Sequence, residues 1–256
     1  MNKPKYYIIE FLEEILSDWS FHEILQMHKY LSLRENNYLL LTNFETIQQK
    51  KDEENKDNLD RLDKFIKETD KKIILISPKG IEKSYIEKTE TYSFCAYSDL
   101  ECKESKQIDI HREKICLLDL RGKKILTKED KPEFEGFIFG GILGDHPPKD
   151  RTYMLRPLTE HARNLQTLQM STDTAVLVSN LILDGGMDFS EIPFVDNPEI
   201  ENKEEEGSSV IMEGFRYVST SLDLKTCQKT DKPSQPLMNE YIRDNLLFVD
   251  FDLGLM

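Results

Sequence analysis

Residues 140–148, GGILGDHPP, place three glycines in five positions, Gly140, Gly141 and Gly144, ahead of one acid, Asp145, and a Pro-Pro stop. Glycine loses more backbone entropy on folding than any other residue, so this spacing marks a tight turn or a surface that something approaches at main-chain distance. A dinucleotide fingerprint needs G-x-G-x-x-G and a phosphate loop needs a following G-K-[ST]; the stretch has neither. What remains is a turn at the carboxyl end of a strand, where amides and carbonyls could line a slot for an uncharged or cationic group. A second acid, Glu10, closes the apolar run KYYIIE and stands on the same expected rim. Other polar residues have plainer readings. Asp173 falls in the first turn of an expected helix, where a carboxylate offsets the helix dipole. His146, before Pro147, reads as a hydrogen-bonded surface group. Trp19 and the tyrosines read as packing residues.

Several short apolar runs must position these groups: KYYIIE at 5–10, NYLLLT at 37–42, KKIILIS at 71–77, KICLLDL at 114–120 and GFIFGGIL at 136–143. Each reads as a strand buried on both faces. Between the first two, SDWSFHEILQMHKYLS puts Phe21, Ile24, Leu25, His28 and Leu31 on one helical face, with Ser20 and Glu23 spaced as a capping box. A second helix, STDTAVLVSNLILDGG, starts at a Ser171 or Thr172 cap and stops at Gly185; apolar residues nearly encircle it, so it should be buried. Strands alternating with helices predict a mostly parallel α/β sheet with helices on both faces. Residues 45–70 are so charged that they read as an exposed insertion or a solvated helix, and 201–209 and 225–236 read as loops.

The chain has 256 residues and a formal charge of −14, from 48 acidic and 34 basic side chains. That balance opposes broad contact with a phosphate backbone and favours a basic protein partner, so no nucleic acid is expected. Cys95, Cys102, Cys116 and Cys227 form no C-x-x-C pair, which predicts reduced thiols and no zinc or other metal site. Glutamates interrupt the N-terminal apolar stretch and no run is long enough to span a membrane, so a cytoplasmic protein is expected.

The wording of the glycine stretch is more specific than its chemistry. GGILGDHPPKDRT at 140–152, LQMSTDTA at 168–175, IPFVDNPEI at 192–200 and FRYV at 215–218 resemble the SPOUT-class methyltransferases, and most of all the branch that methylates an arginine of protein S3 of the small ribosomal subunit. The resemblance covers residues 5–42, 114–127 and 134–220. It implies one methyltransferase domain over 1–220 with an insertion at about 45–70, a C-terminal extension over 221–256, and a deep trefoil knot in the carboxyl half of the sheet.

By the same resemblance, S-adenosylmethionine would lie among three loops. Leu118 and Leu120 belong to the first, Gly140, Gly141, Ile142, Leu143, Gly144, His146 and Pro147 to the second, and Leu168, Gln169, Met170, Ser171, Thr172 and Thr174 to the third. The glycines would let the backbone reach the cofactor closely. Asp145 and Glu10 are the expected catalytic carboxylates, since an arginine must be held and its charge localised before its nitrogen attacks a methyl group. Glu13 and Glu14 fall in the turn that follows Glu10 and are less well placed. His161, Arg163 and Arg151 are expected to steady the knot or a cofactor carboxylate. One departure is Phe11, where related sequences often carry histidine.

The alternative within this fold is an RNA methyltransferase, but the basic groupings KK at 71 and RGKK at 121 are small. A binding module that keeps the fold without activity is opposed by the intact glycine and QMSTDT loops. The expected substrate is therefore a basic ribosomal protein of the small subunit. A monomer is preferred to a dimer formed through the knot.

Overall fold

The computed structural model describes residues 3–69, 73–101, 104–141 and 150–248. The two cleanest apolar runs become strands β1 (Lys5–Glu10) and β2 (Asn37–Thr42), with helix α1 (Asp18–Leu31) between them. They pair in parallel from Lys5 opposite Asn37 to Glu10 opposite Thr42. The cap of α1 differs from expectation. Ser17, not Ser20, is the N-cap, its hydroxyl accepting from the Ser20 N–H at 3.2 Å. Glu23 closes no capping box because it is drawn into the interior.

The charged stretch after β2 is not a bare insertion. It forms α2 (Phe44–Gln49) and α3 (Glu53–Glu68), and α3 buries Asn55, Asn58, Leu62 and Ile66. Asn55 Oδ1 accepts from the Leu16 N–H at 2.8 Å and Asn58 donates to the Leu16 carbonyl at 3.0 Å, so these side chains satisfy the backbone of the loop that leads into α1.

Next come β3 (Ile74–Ile76), α4 (Ile81–Ser84), β4 (Tyr85–Ile86) and a hairpin of β5 (Thr91–Tyr97) and β6 (Ser105–His111). KICLLDL contributes β7 (Ile115–Leu118), followed by β8 (Lys124–Ile125), α5 (Asp130–Glu133) and β9 (Gly136–Gly140). The chain then adds β10 (His161–Asn164) and α6 (Thr172–Leu183). Among the described residues β1–β10 make one sheet, ordered β4-β5-β3-β2-β1-β9-β7-β10-β8, with β6 on β5. From β3 to β8 every pairing is parallel, as expected; β4, β5 and β6 pair antiparallel. Residues 142–149 of the glycine stretch lie outside the described residues, and the knot expected in the carboxyl half of the sheet stays an expectation.

One face of the sheet, with Tyr7, Ile9, Leu41 and Phe139, packs against α1, α3 and α6. The other face carries Ile8, Leu40, Leu117 and Ile138, and the β5–β6 hairpin folds over it through Tyr92, Phe94 and Ile110. Helix α6 is buried along nearly its whole length, as its encircling apolar residues require. Beyond it, β11 (Phe194–Asp196), β12 (Glu199–Glu201), β13 (Ser209–Ile211) and β14 (Arg216–Val218) form two antiparallel pairs. The segments expected as loops at 201–209 and 225–236 thus take part in short ribbons, the second pairing Leu222–Asp223 with Gln228–Lys229. Ile200, Val210, Tyr217 and Leu247 make a third cluster, with Trp19 packed against it.

Among the described residues no helix is long and apolar enough to cross a membrane. Cys95, Cys116 and Cys227 carry free thiols, and burial pushes that of Cys116 up to about 12; Cys102 lies outside the described residues.

Candidate active site

The carboxyl ends of β1, β9 and β7 bring the expected loops together. Glu10 stands opposite Thr42 on one side and Gly140 on the other. At Gly140 a β-carbon would come within 2.8 Å of Thr152 Cγ2, so glycine lets the returning chain pack there. Gly141 turns the chain with φ of +77°, a backbone conformation that other residues adopt only with strain. Its N–H donates to the Glu10 carbonyl at 3.1 Å, and its own carbonyl accepts from the Thr172 hydroxyl at 2.8 Å. The glycine loop is thereby tied at its start to β1 and to α6. Ile142, Leu143, Gly144, Asp145, His146 and Pro147 lie outside the described residues.

The far end of that loop is tied as firmly. The Arg156 guanidinium bridges Asp150 (2.8 and 2.6 Å) to Asp119 (2.5 and 3.0 Å), the residue that follows β7. Arg121 adds a 3.0 Å contact to Asp150. Burial opposes ionisation of Asp119, but the bonds from Arg156 and from the Arg121 N–H outweigh it and hold its carboxyl below the ordinary value. No local pattern in the sequence announces this bridge, because its partners are 37 residues apart.

In the first loop Leu118 is buried and Leu120 is half exposed, an apolar side chain facing outward at a strand's end. In the third loop the Gln169 N–H donates to the Gly214 carbonyl, and the Gln169 carbonyl accepts from the Arg216 N–H, which fixes its main chain beside Phe215. Leu168 and Met170 are partly buried; Ser171 and Thr174 are buried, with their hydroxyls 2.8 Å apart. The Gln169 Oε1 is buried and has no hydrogen-bond partner among the described residues. An orphaned acceptor of that kind is costly unless a ligand completes it.

Glu10 is enclosed. Its Oε2 accepts from the Thr42 hydroxyl at 2.5 Å and from the Ile81 N–H at 3.1 Å, while Oε1 lies against Gly80 so closely that a β-carbon there would meet it at 2.4 Å. Burial raises its carboxyl above the ordinary value, with those two hydrogen bonds working the other way. Glu13 Oε2 accepts from the Leu12 N–H and Glu14 pairs with Lys50. Arg163 is engaged by a carboxylate of this chain. It grips Asp130 through Nε at 2.9 Å and Nη2 at 2.7 Å, with both side chains buried. His161 packs its ring against Phe134.

Two acids that the sequence placed in modest roles meet inside the protein. Glu23, 1% exposed, accepts from the Asp173 N–H at 3.3 Å and from Trp19 Nε1 at 2.9 Å. Burial first and then the neighbouring Asp173 push the Glu23 carboxyl well above the usual range; burial raises Asp173 to about 6. A first-turn aspartate does offset a helix dipole, but this one is also half of a buried acid pair. Its only signal in the sequence is a carboxylate on each of two helices whose remaining residues call for burial.

A basic cleft of about 590 Å³ opens beside the first loop, lined among others by Arg121, Lys123, Lys124 and Arg156. Arg121 and Arg156 are both engaged by Asp150.

Loops gathered at the carboxyl ends of parallel strands and cross-tied around a glycine at positive φ, with an orphaned acceptor on the third of them, mark the ligand-binding end of an α/β protein. The chain belongs to the SFM1-like family, protein arginine N-methyltransferase SFM1-like, whose family model matches residues 6–246. Protein arginine N-methyltransferase SFM1 of Saccharomyces cerevisiae is 38% identical over 134 residues, which span 51% of this chain and 56% of the yeast protein. The crystal structure of the yeast arginine methyltransferase SFM1 complexed with SAM matches with a TM-score of 0.65 at 28% identity, covering 99% of this chain and 92% of that one. The yeast enzyme complexed with SAH matches at 0.63 and 28% identity, covering 93% of this chain and 92% of that one.

Proposed function

We propose that this protein transfers a methyl group from S-adenosylmethionine to an arginine side chain of a basic protein, with a ribosomal protein of the small subunit as the substrate class. The observation that carries this reading is the cross-tied loop set in a chain of this family: Gly141 fixed at φ of +77° between Glu10 and Thr172, with the unpaired Gln169 Oε1 close by in the third loop. When bound, the cofactor supplies an electrophilic methyl on a sulfonium centre. Gln169 offers an acceptor for a donor group of the cofactor, while Leu118, Leu120, Leu168 and Met170 offer apolar walls to its adenosine. Gly140 and Gly141 keep side chains out of the way. Ile142, Leu143, Gly144, His146 and Pro147 are proposed to complete the slot through their place in the same loop.

The guanidinium has to be held by carboxylates, which recognise its fork geometry. Glu10 is walled in by Thr42, Gly80 and Ile81, so Asp145 is the favoured holder and Glu10 the tie between strand and loop. The RNA alternative gains little from the basic cleft, whose Arg121 and Arg156 are already engaged by carboxylates. The test is transfer of labelled methyl from S-adenosylmethionine to an arginine-rich small-subunit ribosomal protein, with bulk transfer RNA in parallel. Label that survives ribonuclease and is lost to protease supports the proposal. Label on RNA alone reverses the ranking.

A further inference from the structure

The start of α6 is capped in part from outside itself: its own Asp173 carboxyl takes the Thr174 N–H, and Glu23 of α1 takes the Asp173 N–H. A helix leaves its first amides without internal partners, and the residue at the N-cap normally supplies an acceptor. Ser171 occupies that position and makes no such bond; its hydroxyl lies 2.6 Å from Asp173 Oδ1 and 2.8 Å from Thr174 Oγ1. The acceptor for the Asp173 N–H is Glu23 Oε2, reaching across from α1. Meanwhile the Thr172 hydroxyl, which could have turned back on its own helix, donates to the Gly141 carbonyl. Glu23 and Asp173 are 1% and 3% exposed, so neither can touch a substrate.

We propose that Glu23 is a positioning residue for the cofactor loops, capping α6 from α1 at the turn whose Thr172 clamps Gly141. This rests on the reading that Gly141 and residues 168–174 line the cofactor site. The chemistry of the site favours glutamate over its amide. Both Glu23 oxygens face N–H donors, Asp173 N and Trp19 Nε1; both oxygens of a carboxyl group can accept, whereas the amide nitrogen of glutamine cannot. The ionisable groups around Glu23 are Asp173 on α6, Glu13 in the loop before α1, Tyr30 on α1 and Tyr217 on β14. Burial favours the neutral form of both acids, and once both ionise two negative charges share this buried start of the helix, so the cap should loosen as pH rises.

The experiment measures S-adenosylmethionine affinity by calorimetry for the full chain, for Glu23→Gln and for Asp173→Asn, together with amide hydrogen exchange at Asp173. Glu23→Gln turns an N–H toward one of the two donors; it is expected to weaken binding about tenfold and to speed exchange at the Asp173 amide, the order of effect of a lost cap. Met27→Ala, a buried change elsewhere on α1, is the comparison for plain destabilisation and should lower the melting temperature without the same loss of affinity. In the wild-type chain affinity should fall as pH rises above about 6, and Asp173→Asn, which keeps the backbone donor, should flatten that profile. The pH series on the wild-type chain needs no variant to fold. Wild-type affinity and exchange in Glu23→Gln would overturn the proposal, as would a flat wild-type profile. If the wild-type chain binds no S-adenosylmethionine, the cofactor reading fails instead, and the exchange rate at Asp173 still decides the cap.

Discussion

Asp130→Asn tests how the third loop is held. Asp130 receives Arg163 Nε at 2.9 and 3.1 Å and Nη2 at 2.7 Å, and also accepts from the Thr127 N–H at 2.9 Å. Side-chain exposures of 8% and 6% leave the pair little screening by solvent. Removing one partner of such a pair strands the other charge in the interior, at about 3–5 kcal/mol. Two features reduce that figure: asparagine keeps one neutral acceptor, and Glu133 lies 3.5 Å from Arg163 Nη2. The expected loss is therefore roughly 2–3 kcal/mol, or about 4–12 °C in melting temperature for a chain of this size. Calorimetric melts at pH 7 read it, with Lys3→Gln as the control that breaks the exposed contact with Glu135 and should change little. A shift for Asp130→Asn no larger than the control's would refute the view that this pair holds β10, the strand leading into Gln169 and Ser171.

Other expectations follow from the same geometry. Gly141→Ala places a side chain at φ of +77°; a strain of about 1–2 kcal/mol should appear as weaker S-adenosylmethionine binding in a folded protein, measured by calorimetry. Arg156→Ala releases Asp150 from Asp119 and should raise the Kd for the cofactor several-fold, whereas unchanged affinity would separate that bridge from the site. Glu10→Gln divides two roles for one acid: activity within a few-fold of wild type leaves Glu10 as the tie between β1, β2 and α4, while a loss of about a hundredfold returns it to the guanidinium. Burial raises the carboxyl values of Glu23 and Asp173, so their contribution to stability is full below the unfolded carboxyl range and is lost as pH rises through the folded values. For Asp173 that window runs from its ordinary 3.8 to about 6, and the urea midpoint of Asp173→Asn should decline less across it than that of wild type.

Strands β1 and β2 were legible to the residue, whereas β3, β7 and β9 are shorter than the runs that announced them. KYYIIE and NYLLLT are buried along almost their whole length, and that is what a continuous apolar run means in a parallel sheet. Helix α6 was legible for the same reason. The antiparallel edge was less visible, although TYSFCAY and SKQIDIH alternate in burial as a hairpin requires. At α3 composition allowed the solvated helix that forms, but charge hid two asparagines whose task is to satisfy the loop before α1. In the site, the glycine turn announced itself through residue type, because a positive φ favours glycine. The ties at Arg156 and Glu23 could not, since each joins residues brought together only when separate elements pack. The internal bonds of Glu10 were hidden likewise, two of its neighbours coming from Gly80 and Ile81 at the start of α4.

The most direct measurement is fragmentation mass spectrometry of an arginine-rich small-subunit ribosomal protein after incubation with the chain and S-adenosylmethionine. The account predicts a methyl group on a guanidinium nitrogen of an arginine, lost when Gly141 is replaced by valine. Cofactor binding without any methylated arginine, or methyl found only on RNA carried in the preparation, would contradict it.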